Sequence, residues 1–155
     1  MSYKTLSFFG HREINISDEL IEHLKNLIED LIINENFEYF YFGGFCDFDN
    51  LCYQIVSSLK KKYPYITRIY VYENEKYLRK KPNYLYNEEY ESFEYFEPKF
   101  KYWYTSIYYR NIEIIDRSDK IIFYVEDREN SGAKKSMFYA KSIKKDYINI
   151  ANLYI

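Results

Sequence analysis

The sequence predicts a single α/β domain over residues 1–155, doubly wound about a mostly parallel sheet of five to six strands with helices on both faces. Three observations carry that expectation. Short apolar runs of strand length alternate with segments of helical periodicity. The strands show little polar alternation, as strands covered on both faces do. Right-handed crossovers then make the doubly wound arrangement the default.

Residues 4–9 read as the first strand, which stops at Gly10, His11 and Arg12. Ser17 offers an N-cap, and Asp18 and Glu19 suit the positive end of a helix. Leu20, Ile21, Leu24, Leu27, Ile28, Leu31 and Ile32 then recur at helical spacing. The aromatic run Phe37 to Phe42 is the second strand and ends at Gly43-Gly44. A second helix is expected from about Asp49 to Lys62, buried through Leu51, Ile55 and Leu59. Lys60, Lys61 and Lys62 oppose the negative end of its dipole, and Pro64 marks the stop. Thr67 to Glu73 is the third strand.

Residues 74–103 break the pattern with Pro82, Pro98 and many charges. They read as a variable loop-and-helix excursion in which Ser92 to Pro98 is a candidate short edge strand. Regular pattern resumes in a helix from near Tyr102 to about Arg117 and a strand from Asp119 to Asp127. Ser131-Gly132-Ala133 opens a last helix, and Tyr147 to Ile150 closes the sheet.

Composition bounds the function. The 21 Tyr and 12 Phe stand beside abundant Ile, Lys and Asn, the signature of an AT-rich coding sequence. A net charge of −2 and a pI of about 5.8 provide no global positive field, which argues against nucleic acid and anionic lipid as partners. Cys46 and Cys52 are too few and wrongly spaced for a zinc site, so they read as small buried hydrophobes and no metal is expected. No charged n-region precedes an apolar stretch at the N-terminus, and no run approaches a membrane span. The expectation is a soluble, cytoplasmic protein.

Ligands of open parallel sheets bind beyond the carboxyl ends of the strands. Three turns should meet there: Gly10-His11-Arg12, Gly43-Gly44, and Asn130-Ser131-Gly132-Ala133. They contain all four glycines of the chain. Glycines let backbone N–H groups approach a ligand, and the following helix N-termini favour a phosphate or carboxylate. Arg12 supplies a planar donor fork for such an anion, while His11 reads as a position-holder or polar contact. His23 is expected to be partly exposed and silent. One of Asp47 and Asp49 belongs at an N-cap, which leaves the other for a ribose hydroxyl. Arg110 and Asn111, on the helix before the late strand, are candidates to face the cleft.

The segments FFGHRE, YFGGFCDFD, YYRNIEIIDRSDKIIFYV and SGAKKSMFYAKSIKKDYINI resemble, in order, the motifs of the SLOG superfamily, and most of all its YpsA-like branch. The similarity covers both ends and the first half of the chain but not residues 74–103. It implies a Rossmann-like fold with core strand order 3-2-1 followed by the two C-terminal strands, with DprA and the Lonely Guy (LOG) phosphoribohydrolases as relatives. It also implies a pocket for a nucleotide or nucleotide-derived signal, a sensor role in stress or phage-conflict signalling, and a homodimer or higher homo-oligomer. No cofactor beyond that ligand is implied. Matched position by position, the motifs place Gly10, His11, Arg12, Gly43, Gly44, Phe48, Asp49, Arg110, Asn111, Asp116, Ser118, Asp119 and Gly132.

The departures bear on mechanism. Asp47 stands where the family has a glycine, and Ser131-Gly132-Ala133 stands for G-G-T. LOG enzymes have a glutamate three residues into the following helix; here the helix opens Lys134-Lys135-Ser136. The expected reading is therefore a binding module for a nucleotide-derived small molecule, with Lys134 and Lys135 at a helix N-terminus offset by a bound polyphosphate. The alternative is a LOG-like hydrolase that cleaves the N-glycosidic bond of a nucleoside monophosphate. It would use Arg110 and need Asp116, Asp127 or Glu129 as its acid.

Overall fold

A computed structural model describes residues 3–43, 46–73, 89–96, 106–128 and 131–153. Its elements are β1 (Lys4–Gly10), α1 (Asp18–Glu35), β2 (Phe37–Phe42), α2 (Asp47–Lys60), β3 (Thr67–Tyr72), β4 (Ser92–Tyr95), α3 (Ser106–Arg117), β5 (Lys120–Tyr124), α4 (Gly132–Ser142) and β6 (Tyr147–Asn149). A 3-10 turn, Ile150–Leu153, follows. The six strands form one sheet in the order β4-β3-β2-β1-β5-β6, every pair parallel. This is the doubly wound, Rossmann-like α/β fold, with the core order expected from the resemblance.

The continuous apolar strands are explained by cover on both faces. Leu6, Phe8, Phe40, Phe42, Ile122 and Tyr124 pack against α1 and α2 through Leu24, Ile28, Cys52 and Val56. The other face of the sheet is covered as well: Ile121 and Phe123 meet Ile115 and Ala140, and Ile69 and Val71 on β3 meet Ile114. α1 begins as its sequence predicts, with the Ser17 hydroxyl accepting the Leu20 N–H at 3.1 Å. Among the described residues no helix is long and apolar enough to cross a membrane.

Some expectations need correction. The N-cap of α2 is Cys46, whose sulfur accepts the Asp49 N–H at 3.2 Å, and not an aspartate. Asp47 instead accepts the Ile14 N–H at 3.2 Å and ties the loop after β1 to α2. The candidate edge strand is real but short. It is anchored by Arg68, whose Nε and Nη2 donate to the Glu91 carboxylate at 2.9 and 2.6 Å. Ser118 and Asp119 sit at the amino end of β5 and serve the fold. Asp119 exchanges hydrogen bonds with the Thr5 backbone, and Ser118 Oγ lies 2.8 Å from Ser7 Oγ and donates to the Ile114 carbonyl at 2.6 Å. The expected helix start near Tyr102 and most of the 74–103 excursion lie outside the described residues.

Candidate functional site

β1 has β2 on one side and β5 on the other, so the direction of winding reverses at this strand. Beyond the carboxyl ends of these strands lies a cleft of about 620 Å³, within the size range of small-molecule sites. The turn after β1 brings Gly10, His11 and Arg12 to it, and the end of β2 brings Gly43. Asp49 comes from α2, Arg110 and Asn111 from α3, and Ser131 and Gly132 from the start of α4. Gly44, Asn130 and Glu129 lie outside the described residues.

The three described glycines have different reasons. A Cβ on Gly10 would lie 2.5 Å from the Phe48 Cβ, so that position is small to let α2 approach the sheet. A Cβ on Gly43 would lie 2.6 Å from Nη2 of Arg110. Around Gly132 a Cβ would meet nothing within 4 Å, so this glycine borders open space. Only the last is left unexplained by contacts among the described residues.

Three arginines line the cleft, and they are not equivalent. Arg110 is only 7% exposed. Its Nη1 donates to the Gly43 carbonyl at 3.0 Å, and its Nε and Nη2 donate to Asn111 Oδ1 at 3.3 and 3.1 Å. Glu73 Oε2 lies 3.9 Å from the same Nη1. Arg128 donates twice to Glu126 Oε2, at 2.9 and 2.6 Å, and once to the Glu13 carbonyl at 2.9 Å. The exposed Arg12 side chain has no hydrogen bond or ion pair to another described residue.

His11 is 5% exposed and tightly framed. Its Nε2 accepts the Glu126 N–H at 2.8 Å, and its Nδ1 lies 3.0 Å from Ser131 Oγ. Ser131 in turn caps α4 by accepting the Lys134 N–H at 3.2 Å. Burial, and after it the positive charge of Arg128, holds the His11 pKa below its ordinary value, with the Glu126 backbone hydrogen bond and then the Glu126 carboxylate opposing. Asp49 is buried, and its Oδ1 accepts the Gly43 N–H at 3.4 Å. Cys46 also lines the cleft, but burial pushes its thiol up to about 12, so no thiolate nucleophile is present at neutral pH.

The two described acid candidates do not gather here. Asp116 follows Arg110 by six residues on α3, which turns it roughly 120° from the cleft-facing side. It accepts the Tyr139 hydroxyl at 2.6 Å from α4 instead. The Asp127 side chain is 97% exposed and pairs with Lys134 Nζ at 2.9 Å. That ion pair also revises the role expected of Lys134: a carboxylate of the chain already balances its charge, and neither Lys134 nor Lys135 lines the cleft.

Sequence reasoning missed Arg128 and Glu73. Arg128 carried a usable signal, a cation just beyond the carboxyl end of the late strand. Glu73 carried a weaker one, a carboxylate that follows the apolar run Ile69–Tyr72. No protein-family model matches the chain, and no curated protein matches it.

Proposed function

We propose that this chain is a binding module, or sensor, for a nucleotide-derived, phosphate-bearing small molecule. The observation that carries the reading is the cleft at the reversal of winding, where Arg12, its side chain unpaired with any described residue, and the open N-terminal turn of α4 border one space. A guanidinium and a helix N-terminus both favour an anion. Arg110, already bonded to the Gly43 carbonyl, would fix the end of β2 and contribute charge. The similarity of the four sequence segments to SLOG motifs supports a nucleotide-derived ligand and a signalling role in stress or phage conflict. A homodimer is proposed on the same ground.

Hydrolysis is the less supported reading. The carboxylates among the described lining residues are Glu13 and Asp49, and Asp49 is buried and bonded to the Gly43 N–H. A thermal-shift panel of nucleotides, cyclic dinucleotides and ADP-ribose derivatives tests the proposal. At least one compound should stabilise the wild type, and Arg12→Ala should lose most of that response. A flat panel, with wild type and variant indistinguishable, would overturn it. Free base released from AMP, and abolished in Arg110→Ala, would replace it with the hydrolase.

A further inference from the structure

Hydrogen-bond logic at His11 fixes what one end of the cleft can accept. The Glu126 backbone N–H can only donate, and it points at His11 Nε2 from 2.8 Å. Nε2 must therefore offer a lone pair, so the proton of the neutral ring is on Nδ1. Doubly protonated imidazole would set two N–H groups against each other at that contact. Nδ1–H then donates to Ser131 Oγ at 3.0 Å, and the same oxygen receives the Lys134 N–H at 3.2 Å. A serine hydroxyl has two acceptor positions and one proton. Both acceptor positions are filled, so the proton must be given away. No described residue accepts it, and Ser131 lines the cleft beside the open space at Gly132.

We infer that buried His11, held as its Nδ1–H tautomer, commits the Ser131 hydroxyl to donate into the cleft, so that this end of the site takes an oxyanion oxygen and rejects a donor group such as an ammonium. His11 is here a positioning residue that acts through Ser131. The inference rests on the proposed ligand-binding role and narrows it. The preferred group is a phosphate or carboxylate oxygen, which offers lone pairs and no proton. It also gives the Ser131-for-glycine departure from the family pattern a consequence: the hydroxyl both caps α4 and adds a directed donor.

Two measurements test this. Nitrogen-15 NMR of the imidazoles in the ligand-free protein reads the tautomer directly, with His23→Gln separating the two histidines of the chain. Nδ1–H is expected; the Nε2–H tautomer would overturn the inference whether or not any ligand is known. Second, inorganic phosphate and acetate are titrated separately against the Gly132 and Lys134 amide signals, which distinguishes a phosphate subsite from a carboxylate one. Ser131→Thr should bind within about twofold of wild type, and Ser131→Ala about tenfold more weakly, the loss typical of a hydrogen bond to a charged group. Ser131→Asp keeps a good cap and an acceptor for His11 while replacing the donor with a negative charge. It should keep the wild-type melting temperature and lose the anion.

Anion binding by Ser131→Asp at wild-type strength, or a wild type that responds to neither anion, would overturn the inference. Nucleotide stabilisation that persists in those cases leaves the binding-module reading standing, while a flat nucleotide panel alongside the expected tautomer and phosphate response removes only that reading.

Discussion

The guanidinium of Arg110 fills the space that a side chain on Gly43 would need. Nη1 lies 3.0 Å from the Gly43 carbonyl, and a Cβ built on Gly43 would stand 2.6 Å from Nη2. Small backbone and buried cation form one unit across β2 and α3. Gly43→Ala should therefore act as a displacement of Arg110. Any ligand found to stabilise the wild type should bind at least about tenfold more weakly, as the loss of a charged hydrogen bond would give. Arg110→Ala should match that loss, and the double variant should be no worse than either single one. Independent, additive losses in calorimetric titration would sever the link between the two residues.

Gly10 and Gly132 should separate in the opposite sense. An added methyl at Gly10 meets the Phe48 Cβ at 2.5 Å, and a Cβ cannot swing aside as a chain end can. Gly10→Ala should cost about 1–3 kcal/mol, the usual cost of overpacking a filled site. Gly132→Ala meets no atom within 4 Å and replaces glycine in the first turn of α4, so it should stabilise the free protein by about 0.5 kcal/mol. Urea unfolding of the three proteins gives both signs. A ligand that fills the open space would nevertheless bind Gly132→Ala less well.

The contrast shows why the fold was easier to read than the site. β1, β2, β3 and β5 announce themselves because both their faces are covered, and that requirement leaves mostly apolar runs with little polar alternation. β4 gives no such signal. Among the described residues its four positions pair with β3 alone, and its place depends on Arg68 reaching Glu91 across a gap in sequence. The cap of α2 was misassigned because Asp47 and Asp49 are better caps by residue type than Cys46; loop contacts to Ile14 and Gly43 claimed both carboxylates. The ligand-side turns were legible because glycine marks strand ends, but glycine type alone did not tell packing at Gly10 from open space at Gly132. Arg128 and Glu73 were marked only by their positions at strand ends; the contacts of Arg128 to the Glu13 carbonyl and of Glu73 to Arg110 join distant parts of the chain, which one-dimensional pattern does not encode.

His11 predicts an acid-sensitive fold. Its folded pKa lies below the ordinary 6.5 because burial disfavours the charged ring. Between those two values the unfolded chain binds more protons than the folded one, so stability falls as pH falls through that window. Above 6.5 both states are neutral at this residue and the contribution is constant. Urea midpoints measured from about pH 8 down to about pH 5, where histidines titrate, should drop more steeply for the wild type than for His11→Asn. Parallel profiles would mean that His11 titrates normally and that its frame of Glu126 and Ser131 is looser than the geometry indicates.

Asp116 gives the last prediction, because its place on α3 takes it out of the chemistry. Its Oδ1 accepts the Tyr139 hydroxyl at 2.6 Å, and burial together with that carboxylate pushes the phenol up to about 12. Asp116→Asn removes the negative charge, so the Tyr139 phenol should titrate closer to its ordinary 10.0; selective carbon-13 labelling of tyrosine resolves it from the other rings. Asp116 is exposed, so the loss of stability should be small, about 0.5–1.5 kcal/mol. Any compound that stabilises the wild type should stabilise Asp116→Asn equally, since the residue faces α4 rather than the cleft. A selective loss of that ligand response, with the Tyr139 titration unchanged, would return Asp116 to the site. It would also restore the acid that a hydrolase needs.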